Sequence, residues 1–203
     1  MSSFAQVKNL LEDSEINTEI VRKSIHMLIA LVPPLAAINV NLTVALLAGG
    51  VLFYTWTETL RLHGHNVAVI SFITVTAART RDRDRIVLGP ITLGIGAMLA
   101  LLLYPEPAAA MGIYALAFGD GLASLLGKLF GRVVLPYTGG KTIVGSSTCF
   151  LSVMLVGMGI LPTFGGALLV GLTATLLEMV PTRDMDNIIL PTGVGLVTWL
   201  LMV

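Results

Sequence analysis

The sequence predicts an all-α, polytopic membrane bundle of about seven transmembrane helices. Three observations carry that expectation. Of the 203 residues, 55% are hydrophobic and only 12% charged, whereas a soluble domain carries about 25% charged residues. Apolar stretches close to the roughly 20 residues needed to cross a bilayer recur along the whole chain. Finally, the basic residues fall in every second connection between those stretches, the pattern that marks cytoplasmic loops.

Seven stretches approach spanning length: 24–40, 41–60, 86–104, 108–127, 143–161, 163–180 and 187–203. An eighth apolar run, NVAVISFITVTAA at 66–78, is short for a span and reads as re-entrant or interfacial. Charge supports that reading. With the N-terminus cytoplasmic, the inside segments are 1–23, 61–85, 128–142 and 181–186. They hold all 12 basic residues: Lys8, Arg22, Lys23, Arg61, Arg79, Arg81, Arg83, Arg85, Lys128, Arg132, Lys141 and Arg183. If 66–78 crossed, RTRDRDR at 79–85 would change sides and the asymmetry would collapse. The outer connections are tiny, NVN at 39–41, YPEP at 104–107 and LPT at 161–163, and of the acids only Glu106 falls there.

The chain thus reads as one integral membrane domain over 1–203. Residues 1–23 form a cytoplasmic amphipathic segment and 61–85 a cytoplasmic or interfacial one. No short h-region with a small-residue cleavage site follows the polar start, so no cleaved signal is expected. The single cysteine, Cys149, excludes an intrachain disulfide, a cysteine metal cluster and a redox pair.

The chemistry gathers at the cytoplasmic ends. Charge within a span costs on the order of 2.5–3.5 kcal/mol at the centre, so such residues usually pair, bind an ion or line a polar cavity. In NTEIVRKSIHML (17–28), Glu19, Arg22, Lys23 and His26 share one helix face at i, i+3, i+4 and i+7. They are either snorkelling basics beside the first span or an anion-binding face. In TWTETLRLHGH (55–65), Glu58 and Arg61 are i, i+3, and either pair at the membrane edge or join a site. The Arg-Asp alternation at 79–85 reads as a solvated loop that touches anionic head groups.

Two stretches are more specific. In FGDGLASLLGKLFGR, a helix continuing past Asp120 puts Asp120, Ser124, Gly127 and Lys128 on one face. Gly131 and Arg132 follow, and then PYTGGKTIVGSS supplies Gly139, Gly140, Lys141, Thr142 and Gly145 at the start of the fifth span. Glycines that admit close backbone approach, amides at a helix start and nearby cations are what phosphate binding requires. A neighbouring carboxylate is a natural Mg²⁺ ligand, because Mg²⁺ usually joins one or two carboxylates to phosphates. Close packing of small residues would explain the glycines, but not an embedded Asp followed by three basics. In TLLEMVPTRDMDNIILP, Glu178 ends the sixth span, and Asp186 and Asn187 precede the seventh. They either cap that helix or add oxygen ligands opposite Asp120. A nucleotide with a divalent metal is the economical ligand of such a face, and the acceptor would come from the lipid phase.

AFGDGLASLLGKLFG followed by GGKTIVGS, with a later Glu178 and Asp186-Asn187 before Pro191, resembles the dolichol kinase, phytol kinase and yeast-type diacylglycerol kinase family. RKSIH and ETLR fit the same pattern, so the resemblance runs from about Glu19 to Pro191. Its most specific part is the block Asp120–Gly145. Val144 stands where many relatives carry Glu, so no role transfers from that acid. The resemblance implies CTP as phosphoryl donor, Mg²⁺ or another divalent cation, and a lipid alcohol as acceptor: polyprenol, dolichol, phytol, geranylgeraniol or diacylglycerol. Phosphatidate cytidylyltransferases share a related block and are the competing expectation. Their Ser-x-x-Lys-Arg run and P-G-H-G-G and D-R-x-D tail are absent from this chain.

On the kinase reading, Asp120 and Lys141 are the catalytic candidates. Lys128, Gly127, Gly131, Arg132, Gly140, Lys141, Thr142, Gly145, Arg22 and Lys23 would bind nucleotide, and Asp120, Glu178 and Asp186 would hold metal. Glu58, Arg61, His26 and Asn187 complete the polar set, with Asp120 or Glu58 as a general base. Membrane lipids are the expected surroundings, no nucleic acid is expected as a partner, and a homodimer is left open. The expected location is the plasma (inner) membrane in a prokaryote and the endoplasmic reticulum in a eukaryote.

Overall fold

The structure is a computed structural model that describes residues 16–65 and 85–203. The 66–78 segment, residues 79–84 of the Arg-Asp run and residues 1–15 lie outside the described residues. Among the described residues there are seven longer helical segments, α1 Ile16–Ile38, α2 Val40–Leu62, α3 Gly89–Leu103, α4 Ala108–Phe130, α5 Ile143–Ile160, α6 Phe164–Met179 and α7 Asp186–Leu200, with a short 3₁₀ turn at Arg183–Met185 before the last. Each falls on one of the predicted spans. α1, α2, α4 and α5 are long and apolar enough to cross a membrane, and α3 and α6 are shorter apolar helices. The all-α polytopic expectation holds.

Local chemistry sets the helix ends. α1 passes through a 3₁₀ turn at Leu28–Leu31 before resuming at Val32. The prolines at 33 and 34 lack the N–H groups that would bond back into that turn. Asn39 is extended and accepts from the backbone N–H of Leu42 at 3.0 Å, capping α2. Thr142 and Thr163 do the same for α5 and α6, each accepting from an amide three residues on. The charged NTEIVRK segment continues α1 toward the N-terminus rather than forming a separate element.

α4 is the central helix and feeds two apolar clusters. Met111 and Leu116 pack with Cys149, Val153, Val170, Leu190 and Val194. Ile113 and Ala117 pack with Ile29, Val32, Ala97 and Ala100. Small residues allow the backbones to meet, the usual means of helix association in an apolar solvent. A Cβ on Gly96 would fall 1.9 Å from the Asn187 carbonyl oxygen, and one on Gly112 would fall 2.3 Å from that of Pro191. Both contacts seat α7 against its neighbours.

Midway along α4, Ala115–Asp120 is a π-helix, and regular α-helix returns at Gly121. The wider turn disturbs the normal ladder of carbonyls, and side chains from other helices fill in. His26 faces the Leu116 carbonyl at 3.1 Å, and Ser152 donates to that of Phe118 at 3.4 Å. Single-turn π segments inside α-helices are frequent at functional sites, and this one ends on the embedded aspartate.

Candidate active site

The beginnings of α1, α3, α5 and α7 and the far ends of α2, α4 and α6 line one cavity of about 820 Å³. Helices that alternate in direction bring those ends together, so the cavity opens at the end of the bundle where the sequence concentrates charge. Glu106, in the connection between α3 and α4, sits at the opposite end.

Asp120 lies at the cavity wall and is 1% exposed. Lys23, itself buried and 97 residues earlier in the chain, donates to its Oδ2. His26 Nε2 stands 3.3 Å from the same oxygen and 3.1 Å from the Leu116 carbonyl. With two oxygens facing it, Nε2 carries the hydrogen. Ser124, one turn on, donates to Oδ1 at 3.2 Å. The predicted Asp120–Ser124–Gly127–Lys128 face therefore lines the cavity, and so does the Glu19–Arg22–Lys23–His26 face opposite it. Arg22 is engaged with Glu19 at 2.5 Å.

The second charged pair comes from the loop between α4 and α5. Leu135 N–H donates to the Lys141 carbonyl and Ile143 N–H to that of Val133, closing a small antiparallel bridge between Val134 and Thr142. The turn between them runs through positive φ at Tyr137 (61°), Gly139 (70°) and Gly140 (103°). Only glycine adopts the last two without steric cost, which accounts for GGK. The turn delivers Lys141 to Glu178 at 2.5 Å, and Ser146 reaches the other Glu178 oxygen at 3.5 Å. Burial alone would lower the pKa of Lys141. The charges of Asp120, Glu178 and Asp186 more than offset that and hold it above the ordinary lysine value, so it is a cation at neutral pH.

Several of the expected site residues lie off the cavity wall or are already engaged within the fold. Gly131 and Arg132 do not line the cavity. A Cβ on Gly131 would fall 2.2 Å from the Gly127 carbonyl, so this glycine serves packing, and Arg132 is exposed on the outside. Gly145 lines the cavity, but its amide is taken by the Thr142 hydroxyl at 3.1 Å, so that N–H is a helix cap, not a free phosphate donor. Glu58 and Arg61 are also outside the cavity wall. Glu58 is 1% exposed and accepts from Arg61 Nε at 3.0 Å and from Val87 N–H at 3.0 Å, while Arg61 donates to the Arg85 carbonyl at 2.9 Å. That is a clamp between α2 and the approach to α3. Asn187 does not cap α7: its amide donates to Thr92 Oγ1 at 2.9 Å and to the Gly89 carbonyl at 3.3 Å, tying α7 to α3.

The three acids expected to hold metal, Asp120, Glu178 and Asp186, line the same cavity. Among the described residues, no group of three or more acidic, histidine or cysteine side chains forms a ready-made metal cage. That donor set still fits Mg²⁺, which usually takes one or two carboxylates and completes its shell with substrate phosphates and water. Sequence reasoning missed Thr138, Tyr54 and Leu93, which also line the cavity. Thr138 follows from the GGK turn. Tyr54 and Leu93 carry no mark that separates them from other apolar positions of a span.

No family model matches the chain, and no solved structure does. Two curated plant proteins do. A probable phytol kinase, chloroplastic, of Triticum aestivum is 26% identical over 144 residues, covering 62% of this chain and 48% of that protein. A probable phytol kinase 1, chloroplastic, of Oryza sativa subsp. japonica is 25% identical over 157 residues, covering 68% and 50%. The chain spans about half the length of the curated relatives it matches. Those relatives agree with the resemblance carried by the Asp120–Gly145 block: this chain is similar to the phytol kinases of the polyprenol kinase family.

Proposed function

We propose that this protein is a membrane-embedded lipid kinase that phosphorylates the hydroxyl of an isoprenoid alcohol, with CTP as donor. One observation carries the reading: two lysine–carboxylate pairs, Lys23–Asp120 and Lys141–Glu178, line a single cavity at the charged end of an apolar bundle. The similarity to phytol kinases supports the acceptor class, and the block resemblance supports CTP. The charged end faces the cytoplasm by the positive-inside pattern.

Phosphoryl transfer depends mostly on positioning and charge neutralisation. Lys141, held by the GGK turn, and Lys128 at the cavity rim neutralise the donor phosphates. The Gly139–Gly140 backbone, without side chains, admits them closely. Lys23, which donates to Asp120 at the cavity wall, would pass from it to the transferring group. Asp120 is the carboxylate placed to accept the proton of the alcohol, and His26 and Ser124 fix its orientation. A divalent cation arriving with the nucleotide would supply further charge neutralisation, with Asp120, Glu178 and Asp186 as the available oxygen ligands.

The test is purified protein in lipid vesicles with labelled CTP or ATP and phytol, geranylgeraniol, dolichol or diacylglycerol. The expected products are a phosphorylated isoprenoid alcohol and CDP. A CDP-lipid with pyrophosphate would move the chain to the cytidylyltransferases, and no transfer to any alcohol would overturn the kinase reading. Asp120→Asn and Lys141→Ala should each lower turnover by about 100-fold or more in the fraction that remains folded, with melting lowered because each leaves a buried partner charge uncompensated. Full activity in either would overturn this assignment of the site.

A further inference from the structure

The cavity wall is divided by chemistry. On the α4–α5 side it is small, polar and cationic: Lys128, Thr138, the two glycines of the turn, and Lys141. On the α1–α2–α3 side Glu19, Arg22, Lys23 and His26 of α1 are charged or polar, but Ile25, Tyr54, Val87, Pro90 and Leu93 form an apolar strip beside them. A triphosphate has no use for that strip. Asp120, with Lys23 and His26 on it, stands where the two surfaces meet.

We propose that the α1–α2–α3 side is the binding site for the acceptor alcohol, with Ile25, Tyr54 and Leu93 as the wall along its hydrocarbon chain and the Lys23–His26–Asp120 group as the seat of its hydroxyl. This rests on the lipid-kinase reading and assigns one substrate of it to a place. Three further observations support the assignment. The cavity volume lies near the upper end of the roughly 300–1,000 Å³ usual for small-molecule sites, which suits two substrates together. The helices that carry this wall also present apolar side chains outward: Leu28 and Leu31 of α1 and Phe53 and Trp56 of α2 are each more than half exposed. A chain seated against Ile25 and Tyr54 can therefore extend along the membrane without crossing polar surface. The wall is also anchored, because the Glu58–Arg61 clamp holds Arg85 and Val87 and so fixes the start of α3. Glu58 is on this account a positioning residue for the acceptor.

The physics predicts what such a wall does. Lipid tails are as apolar as leucine, so moving a hydrocarbon chain from bilayer to protein gains little hydrophobic energy. The wall selects by shape, and Leu93 contributes discrimination between chains more than overall affinity.

The experiment uses the full chain in nanodiscs, without nucleotide, and a C20 isoprenoid alcohol carrying a photoreactive diazirine on its chain. Labelled peptides are mapped by mass spectrometry. The expected result is labelling centred on Ile25, Tyr54 and Leu93, competed by unlabelled alcohol of the same length but not by a hydrocarbon lacking the hydroxyl. Leu93→Trp, which fills the wall, should cut that labelling by about tenfold and leave fluorescent-CTP affinity within about twofold. Leu93→Ala, which opens the wall, should retain labelling, and because Leu93 also packs against both apolar clusters, the retained CTP affinity of Leu93→Trp is what separates blockage from misfolding. Labelling centred on α4–α6, labelling that free alcohol does not displace, or loss of nucleotide affinity in Leu93→Trp equal to the loss of labelling would overturn the assignment. Crosslinking needs no turnover. Displaceable labelling in a protein that transfers no phosphoryl group would overturn the kinase reading and leave the alcohol site standing, and active enzyme labelled elsewhere would do the reverse.

Discussion

α2 and α4 are both 23 residues long, with mean hydropathies of 1.4 and 1.5 over their most apolar windows, yet 11% of the α2 window is buried inside the protein against 67% for α4. Hydropathy therefore says that a helix crosses and nothing about where it stands. The difference lies in side-chain size. α4 runs through Ala108, Ala109, Ala110, Gly112, Ala115 and Ala117, all buried, and neighbours close on it from several sides. α2 presents Leu46, Leu52, Phe53 and Trp56 outward and packs on α1 and α3. The buried helix carries Asp120, and the peripheral one shapes the side proposed for the lipid.

Glycine substitutions test that contrast directly. Gly112→Ala in α4 and Gly96→Ala in α3 place a methyl onto backbone of α7, which cannot move aside cheaply. Each should cost about 3 kcal/mol, seen as a lower melting temperature in detergent. A wild-type melting profile for either would mean that the α7 seating is looser than the close approaches indicate. Glu58→Ala comes next. It removes the acceptor of the Val87 amide and of the Arg61 guanidinium, at about 2 kcal/mol. It should raise KM for the alcohol more than for the nucleotide, and Glu58→Gln should recover part of both effects. Equal loss for the two substrates would make the clamp merely structural. The smallest effect belongs to α2 itself. Nothing lies within 4 Å of a Cβ on Gly49 or Gly50, so alanine there should change stability by at most about 1 kcal/mol, in the stabilising direction.

What the sequence made legible follows the range of each interaction. The spans were readable because apolar length is a local property, and all seven found helices. The Glu19–His26 face was readable because helical spacing is fixed, and the GGK loop because paired glycines beside a lysine admit close backbone approach; its positive φ angles belong to the fold. The pairing of Lys23 with Asp120 was not, since 97 residues separate them and either could have met another partner. Glu58 looked like a site residue because an embedded carboxylate is conspicuous. Only the fold shows that Arg61 and the Val87 amide already satisfy it. Tyr54 and Leu93 illustrate the reverse case, in which positions on the cavity wall are occupied by side chains ordinary for a membrane.

The π-helical turn at Ala115–Asp120 bears on how this sequence can change by insertion and deletion. An α-helix advances about 100° per residue, so one residue more or less upstream of Asp120 rotates the whole Gly121–Phe130 segment by that angle relative to the Ala108–Tyr114 segment. The wide turn sets that angular phase: the alanines before it face the core while the carboxylate at its end faces Lys23 and the cavity. A single-residue insertion within 115–119, a second extra residue that one wide turn does not absorb, would leave the apolar length of the span almost intact and turn Asp120 away from its lysine. The phase of this helix, which no hydropathy profile records, is as much a part of the site as the aspartate.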